Sequence, residues 1–434
     1  MFEWLWNRYL QAINSIAFYP FIISSLFVSV SITIVTIGTG TTDEWLRNLV
    51  PIFDKSNPET ARTLLSVLIT GMFTLTVFSF SMVMVVLNQA ANNYSPKVLD
   101  GLLKDKRPQF ILGFYIGSLL FCLPLLLNLT DSQAEKSVSV TGVFLALLCA
   151  IIDLFVFIRF IDYVSRSVKP AEISRSIYKR TFERWKERNS SKRQASYLDE
   201  EGEYKESFTH YFAVKSGYYQ GLDEAKLLDW CTEKDWMLKV EVRVGDYVLE
   251  GTPFFSISGG KPNDSELKKL HQLFFFYNIE DIENNLFYGY RQLTEVAAKA
   301  LSPGINDIGT ARICIDFLTD LISLFAQNPM PYGMKDKEGQ PRVIYQPIDL
   351  HDIFELCLDE IRLCGRGDKN IMDALLHTCA LLFQHCEENS SLKKEVVRFS
   401  QKLYDDLQSG TYLDDTAYLL NFYRQNLKPH LGNV

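Results

Sequence analysis

Asp153 stands inside the apolar run "LLCAIIDLFVFIRF", where a carboxyl group is costly to place and is by default a functional candidate. Two roles fit it: a neutralised group facing a helix bundle, or an ion or proton site. Its spacing leaves both open, because Arg159 is six positions on and makes a weak helical partner. Asp162 is easier to place, since Arg159 and Arg166 share its helical face at minus three and plus four.

A second set of residues runs through "TARTLLSVLITGMFTLTVFSFSMVMVVLNQAANNYS", Thr60 to Ser95. At about 100° per residue, Thr63, Ser66, Thr70, Thr74, Ser81, Asn88, Asn92 and Ser95 share a sector roughly 80° wide. Thr76, Ser79, Gln89 and Asn93 fall elsewhere. Polar side chains in hydrocarbon need partners, so such a face turns from lipid toward other helices or toward water. Small polar residues can hydrogen-bond across a bundle. Alternatively, copies of this helix surround an axis and line a water-filled path, which requires an oligomer because four spans leave no wide passage. Thr70, Thr74, Ser81, Asn88 and Asn92 are thus candidates for pore lining or helix packing.

The third set is "KALSPGINDIGTAR". Pro303 and Gly304 end one helix, and Asn306 or Asp307 can cap the next. Capping accounts for the motif; a ligand or subunit contact through Ser302, Asn306 and Asp307 is the alternative. A fourth set, Cys357, Cys364, His377, Cys379, His385 and Cys386, could in principle hold a metal. Its seven-residue cysteine spacings place each pair on one helix face, which also describes buried thiols. No C-x-x-C occurs, so no metal is expected. No P-loop, dinucleotide glycine pattern, nucleophile elbow or HExxH is present either, and neither an enzyme nor a cofactor is expected.

These residues sit in a chain of 434 residues with net charge −8, long enough for two or three units and too acidic for a general nucleic-acid binder. Its first third holds four apolar stretches of spanning length: Ile16 to Ile37, Leu64 to Leu87, Phe110 to Leu129 and Val138 to Phe160. Pro124 is expected to kink the third; Pro20 lies near the entry of the first. The flank "MFEWLWNRYLQAINS" lacks a basic cluster, so the first span is read as a retained anchor, with Trp4, Trp6, Tyr9, Phe18 and Tyr19 forming an interfacial belt. Lys97, Lys104, Lys106 and Arg107 fill the second loop, the third has Lys136, and a dense basic stretch follows the fourth span. By the positive-inside rule both termini are cytoplasmic.

The expected fold is therefore membrane α-helical, with four transmembrane helices, followed by a cytoplasmic α+β region. The boundaries are a membrane domain over 1–168, a charged helical connector over 169–208 that leaves the membrane or meets lipid headgroups, a small β domain over 209–262, and a helical domain over 263–434. In "MLKVEVRVGDYVLEGTPFFSIS", Leu238, Val240, Val242 and Val244 alternate with Lys239, Glu241 and Arg243, as in a half-buried strand. The turn pattern resembles the barrel-sandwich units of lipoyl- and biotinyl-type domains, without a carrier lysine motif, and reads as a structural or assembly module. Helical periodicity then covers Ser265 to Asn278, Leu286 to Leu301, Ile308 to Gln327, Leu350 to Cys364, Ile371 to Glu388, Leu392 to Gln408 and Thr416 to Asn426 as a helical bundle. The loop "NPMPYGMKDKEGQPRVIYQP" is expected to be mobile or extended.

Three stretches, "TGMFTLTVFSFSMVMVVLNQAANNYSPKVL", "GYRQLTEVAAKALSPGINDIGTA" and "VRVGDYVLEGTPFF", together resemble a family of uncharacterised bacterial membrane proteins grouped as a domain of unknown function. Ile308 stands where such sequences carry a proline or similar residue, a change that bears on the local turn. The resemblance implies a multi-span protein of the bacterial inner membrane with a large soluble part, and no activity. From the residues, the leading expectation is an oligomeric ion channel or transport-related pore: the second span lines the axis, and the cytoplasmic domain assembles or gates it. The partners would be lipid, further copies of the chain, and an ion or small solute, with no nucleic acid. The rival is a non-conducting scaffold or sensor whose cytoplasmic domain binds a protein partner.

Overall fold

The computed structural model describes residues 18–37, 40–49, 58–93, 106–129, 139–167, 169–190, 197–198, 202, 204, 206–277, 282, 285–385, 391–409 and 423–425. Trp4, Trp6, Tyr9, Ser95, Lys97, Lys104, Lys136 and Cys386, and most of the Thr416 to Asn426 stretch, lie outside them. The chain divides into two compact units, Met1–Lys169 and Pro170–Val434.

The first unit comprises α1 (Phe18–Ile37), α2 (Gly40–Leu49), α3 (Pro58–Asn93), α4 (Lys106–Asn128) and α5 (Val140–Ser167). All but α2 are long and apolar enough to cross a bilayer, and they coincide with the four expected spans. Span α4 packs against each of the other three, most extensively against α1. The cause is a pair of glycines four residues apart, Gly113 and Gly117. A Cβ at Gly113 would stand 2.9 Å from the Pro20 Cα, and one at Gly117 would stand 3.1 Å from the Phe27 ring. Small residues at this spacing let helix backbones approach closely where no hydrophobic drive operates between spans. Phe27 then meets Phe114 edge-on at 5.4 Å, and Ser31 Oγ donates to the Phe121 carbonyl at 2.6 Å.

Helix α2 was not expected within the first loop. Its Asp43 carboxylate accepts from the Thr141 backbone N–H at 2.7 Å and from the Thr141 hydroxyl at 2.6 Å. It thereby satisfies an orphan donor at the start of α5 from a distant segment.

The second unit runs α6 (Pro170–Ser190), β1 (Tyr197–Leu198), β2 (Thr209–Phe212), β3 (Gly217–Leu222), α7 (Glu224–Lys234), β4 (Met237–Val240), β5 (Tyr247–Val248), β6 (Pro253–Ser258), α8 (Asp264–Gln272), β7 (Phe274–Tyr277), α9 (Phe287–Ala300), α10 (Ile308–Gln327), β8 (Gly333–Lys335), β9 (Pro341–Ile344), α11 (Leu350–Phe354), a π turn (Glu355–Asp359), α12 (Glu360–Gly365), α13 (Lys369–Gln384) and α14 (Ser391–Gln408). The architecture is thus a mixture of sheets and helices. One sheet has the order β1-β8-β9-β4-β6-β2 and the other β5-β3-β7. Every pairing is antiparallel except β4 with β9, where Leu238 stands opposite Val343.

The alternating valines resolve into a shorter strand than their period suggests. Leu238 and Val240 are buried in β4, and the chain then leaves the sheet, with Val242 and Val244 packed against the core's edge. Two other segments differ from expectation. The helix expected to reach Asn278 stops at Gln272, and "FFFY" becomes β7, because consecutive aromatics suit a pleated surface and pack on Tyr219 and Phe254. The loop after α10 folds into the β8–β9 hairpin. Asp336 turns it, accepting from the backbone N–H groups of Glu338 and Gln340 at 2.9 Å each, and Val343 is fully buried.

Helix α6 carries the connector's charges, yet one face is apolar and packed. Ile173, Ile177, Thr181 and Trp185, four residues apart, are buried, and α6 lies against α9 and α10. Trp185 Nε1 donates to the Tyr290 hydroxyl at 3.0 Å, which donates to the Leu321 carbonyl at 2.7 Å. Tyr178 stacks on Phe317 at 4.6 Å.

Gly113→Leu is expected to destabilise the membrane unit by about 1–3 kcal/mol, the usual cost of overpacking, because the obstructing atom is backbone. Thermal unfolding of the full chain in detergent micelles measures it. A midpoint equal to wild type would show that α1 and α4 do not depend on this close approach.

Candidate functional site

The exposure of α3 divides it into two faces. Ala61, Leu65, Met72 and Ser79 are buried against the other spans. At about 100° per residue this face lies roughly opposite the polar sector. Thr63, Ser66, Thr70, Thr74, Ser81 and Asn88 are all exposed. The structure therefore keeps these polar residues out of the contacts that hold one chain's spans together. Thr63, Thr70, Thr74 and Ser81 donate to their own backbone four residues back, at 2.9, 2.9, 2.8 and 2.9 Å. Val67, Phe78 and Val85 flank the polar line on one side and Phe73, Phe80 and Met84 on the other, with Val77 interrupting it. Asn92 sits on the last turn of α3, and its side chain lies outside the described residues.

Asp153 belongs to a different place, the interior of the bundle. It is fully buried on α5, and its Oδ1 accepts from Ser118 Oγ at 3.4 Å. Its Oδ2 is buried without a hydrogen-bond partner among the described residues, and the buried Ser79 Oγ on α3 and Tyr115 hydroxyl on α4 face one another. Tyr115 lies against Ser79 and within electrostatic reach of Asp153, as do Cys122 and Cys149. Three spans thus bring a carboxyl, a phenol and two hydroxyls together, the chemistry of a proton or small-cation site. Only Asp153 was singled out from the sequence. Tyr115, Ser118 and Cys122 fall at i, i+3 and i+7 on one face of α4, a spacing that could have found them.

Asp307 acts as the helix cap of α10: it accepts from the Thr310 backbone N–H at 3.0 Å and from the Thr310 hydroxyl at 2.6 Å. These bonds, the hydroxyl's foremost, hold its carboxyl below the ordinary range. Asn306 adopts a left-handed φ of 47°. The Ser302 carbonyl accepts from the backbone N–H groups of Ile305 and Asn306, both at 3.0 Å. Ser302, Asn306 and Asp307 are brought together as the turn between α9 and α10.

The described members of the cysteine and histidine set do not converge. Cys357 is fully buried in the π turn, and burial pushes its thiol up to about 12; Cys379 is fully buried in α13 and Cys364 is exposed. His385 Nδ1 lies 2.9 Å from the Leu381 carbonyl. Among the described residues, no three His, Cys, Asp or Glu side chains gather within reach of one metal ion.

A family model described as "Predicted membrane protein (DUF2254)" matches residues 13–380. Among curated proteins the chain is similar to an "uncharacterized protein" of Mycobacterium tuberculosis, 21% identical over 351 residues that cover 77% of this chain and 66% of the relative. A Mycobacterium bovis protein described in the same words matches with the same figures. The chain spans just under two thirds of the length of these relatives. No solved structure matches.

Ser118→Ala removes both the 2.9 Å bond to the Phe114 carbonyl and the 3.4 Å contact with Asp153 and is expected to cost about 1–3 kcal/mol, whereas Ser79→Ala, which loses only its approach to Tyr115, is expected to cost less. Unfolding midpoints in micelles compare them, and equal effects would refute the assignment. For Asp307, the lowered folded value means its stabilisation is complete above the unfolded carboxylate value of about 3.9 and is lost as pH falls through the folded one. Asp307→Ala is expected to cost about 0.5–2 kcal/mol at neutral pH. The difference between wild type and variant should vanish at the acid end of a pH series of melts.

Proposed function

We propose that this chain, which belongs to the DUF2254 family of predicted membrane proteins, is an oligomeric ion channel or transport-related pore of the bacterial inner membrane. Copies of α3 surround the axis, and the soluble unit assembles or gates the pore on the cytoplasmic side. The observation that carries this reading is the two-faced α3, whose polar line points away from its own bundle.

The physical argument is one of partners. A single threonine can face lipid, because its hydroxyl donates back to the helix and is partly satisfied. Back-bonding uses each hydroxyl's proton but leaves its acceptor capacity unmatched, and the line repeats through several turns inside the span. Asn88, just past the end of the span at Val86, continues the same face. In an oligomer the apolar flanks pack copy against copy, and the polar line is left facing the axis. Water there, or polar groups of neighbouring copies, supplies the missing partners. The basic loops put both termini in the cytoplasm, and Asp153, with no part in the lining, stands inside each subunit.

A single-cysteine accessibility scan from Thr63 to Asn88 in membranes tests this, in a background with Cys122 and Cys149 replaced. A membrane-impermeant reagent reacts with a thiolate, which forms in water and not in lipid. Labelling is expected to peak at Thr70, Thr74 and Ser81, with minima at Leu65 and Met72. Protection at all three peak positions in an intact oligomer would contradict a water-facing line and favour a non-conducting scaffold.

A further inference from the structure

The soluble unit contains a cleft of about 650 Å³ between α6, the strands β3 and β4, and the segment after β9. This is within the usual range for small-molecule sites. Two of its lining residues carry buried polar atoms that no group among the described residues satisfies: the Gln220 side-chain carbonyl and the Tyr345 hydroxyl. Gln220 retains 5% exposure, and its amide nitrogen donates to the Tyr288 hydroxyl at 2.5 Å, which orients the carbonyl oxygen as the idle end. Buried polar groups in folded proteins are nearly always paired, and the exceptions call for an explanation.

Each arginine of the cleft has an acidic neighbour in the cleft's own walls. Arg184 pairs with Glu187 at 2.7 Å. Arg188 lies in the field of Glu224, whose carboxylate accepts from the Tyr197 hydroxyl at 2.7 Å. Among the described residues, the unsatisfied buried atoms of the lining are neutral: one carbonyl acceptor and one phenol that can donate or accept. Tyr219, Phe287 and the valines of the β4 region add apolar and aromatic surface to the same cleft.

We propose that this cleft binds an uncharged, ring-bearing small molecule with an amide-like edge, its N–H donated to the Gln220 carbonyl and its C=O accepting from the Tyr345 hydroxyl. Nucleobases, cyclic ureas and lactams share that chemistry. The Tyr345 hydroxyl hydrogen turns about its C–O bond, so this group can donate to the ligand's carbonyl while the Gln220 amide stays held by Tyr288. The site lies wholly in the soluble unit and stands whether or not α3 lines a pore.

Ligand-observed NMR on the full chain in micelles tests the assignment with uracil and 2-pyridone as probes, their N-methylated analogues as donor-free controls, and orotate as a charged control. Uracil and 2-pyridone are expected to bind roughly tenfold more tightly than the N-methylated forms, the worth of one hydrogen bond. Gln220→Leu should abolish that preference, and Tyr345→Phe should weaken both probes while leaving the melting midpoint unchanged or raised. Failure of both probes to bind, equal binding of N–H and N-methyl forms, an unaltered preference in folded Gln220→Leu, or tighter binding of orotate than uracil would each overturn the proposal.

Discussion

Hydrocarbon offers no hydrogen bonds, and every polar group placed in it must find a partner in protein or in water. That constraint organises the membrane unit. Ser31 reaches across to the Phe121 carbonyl, Asp43 caps the start of α5, and the glycine pair lets α1 approach α4 closely enough for such bonds to form. These contacts run between the helices of the bundle, while the polar sector of α3 stays out of that packing. That polar side, beyond the bonds to its own backbone, meets none of the other described spans, and the proposal of an axis shared by several copies follows from the same rule.

The interior group around Asp153 obeys the rule incompletely. Ser118 supplies one contact at 3.4 Å, while among the described residues the other carboxyl oxygen has no partner and the Tyr115 hydroxyl faces Ser79. The two polar features of α3 are therefore physically different. Ser79 points into the bundle toward Tyr115, and the line from Thr63 to Asn88 points out of it. A solute passing along the axis and a proton held inside one subunit would be separate events, coupled only through the helix they share.

What could be read from the sequence followed the range of the physics involved. The spans were legible because hydropathy accumulates over about 20 residues and needs no knowledge of the partner. The boundaries of α10 were legible for a similar reason, since Asp307 and Thr310 are three residues apart and the cap is local. The β8–β9 hairpin was not, because its Val343 pairs with Leu238 from a hundred residues away and its own composition reads as loop. Gly113 and Gly117 were visible as a spacing, but only Pro20, Ile23 and Phe27 of another span give that spacing its meaning. The polar sector of α3 was found by angle alone. Whether it faced inward or outward depended on Leu65 and Met72 meeting α4 and α5, which no single helix reveals.

The most direct measurement is single-channel recording from the purified oligomer reconstituted in planar bilayers, comparing wild type with Thr74→Trp. The exposed position of Thr74 means the larger side chain leaves the subunit's own packing untouched, and on the proposed arrangement it enters the axis. The account predicts conductance in wild type and strong reduction in the variant. Silence from a verified wild-type oligomer, or conductance indifferent to tryptophan at that position, would contradict it.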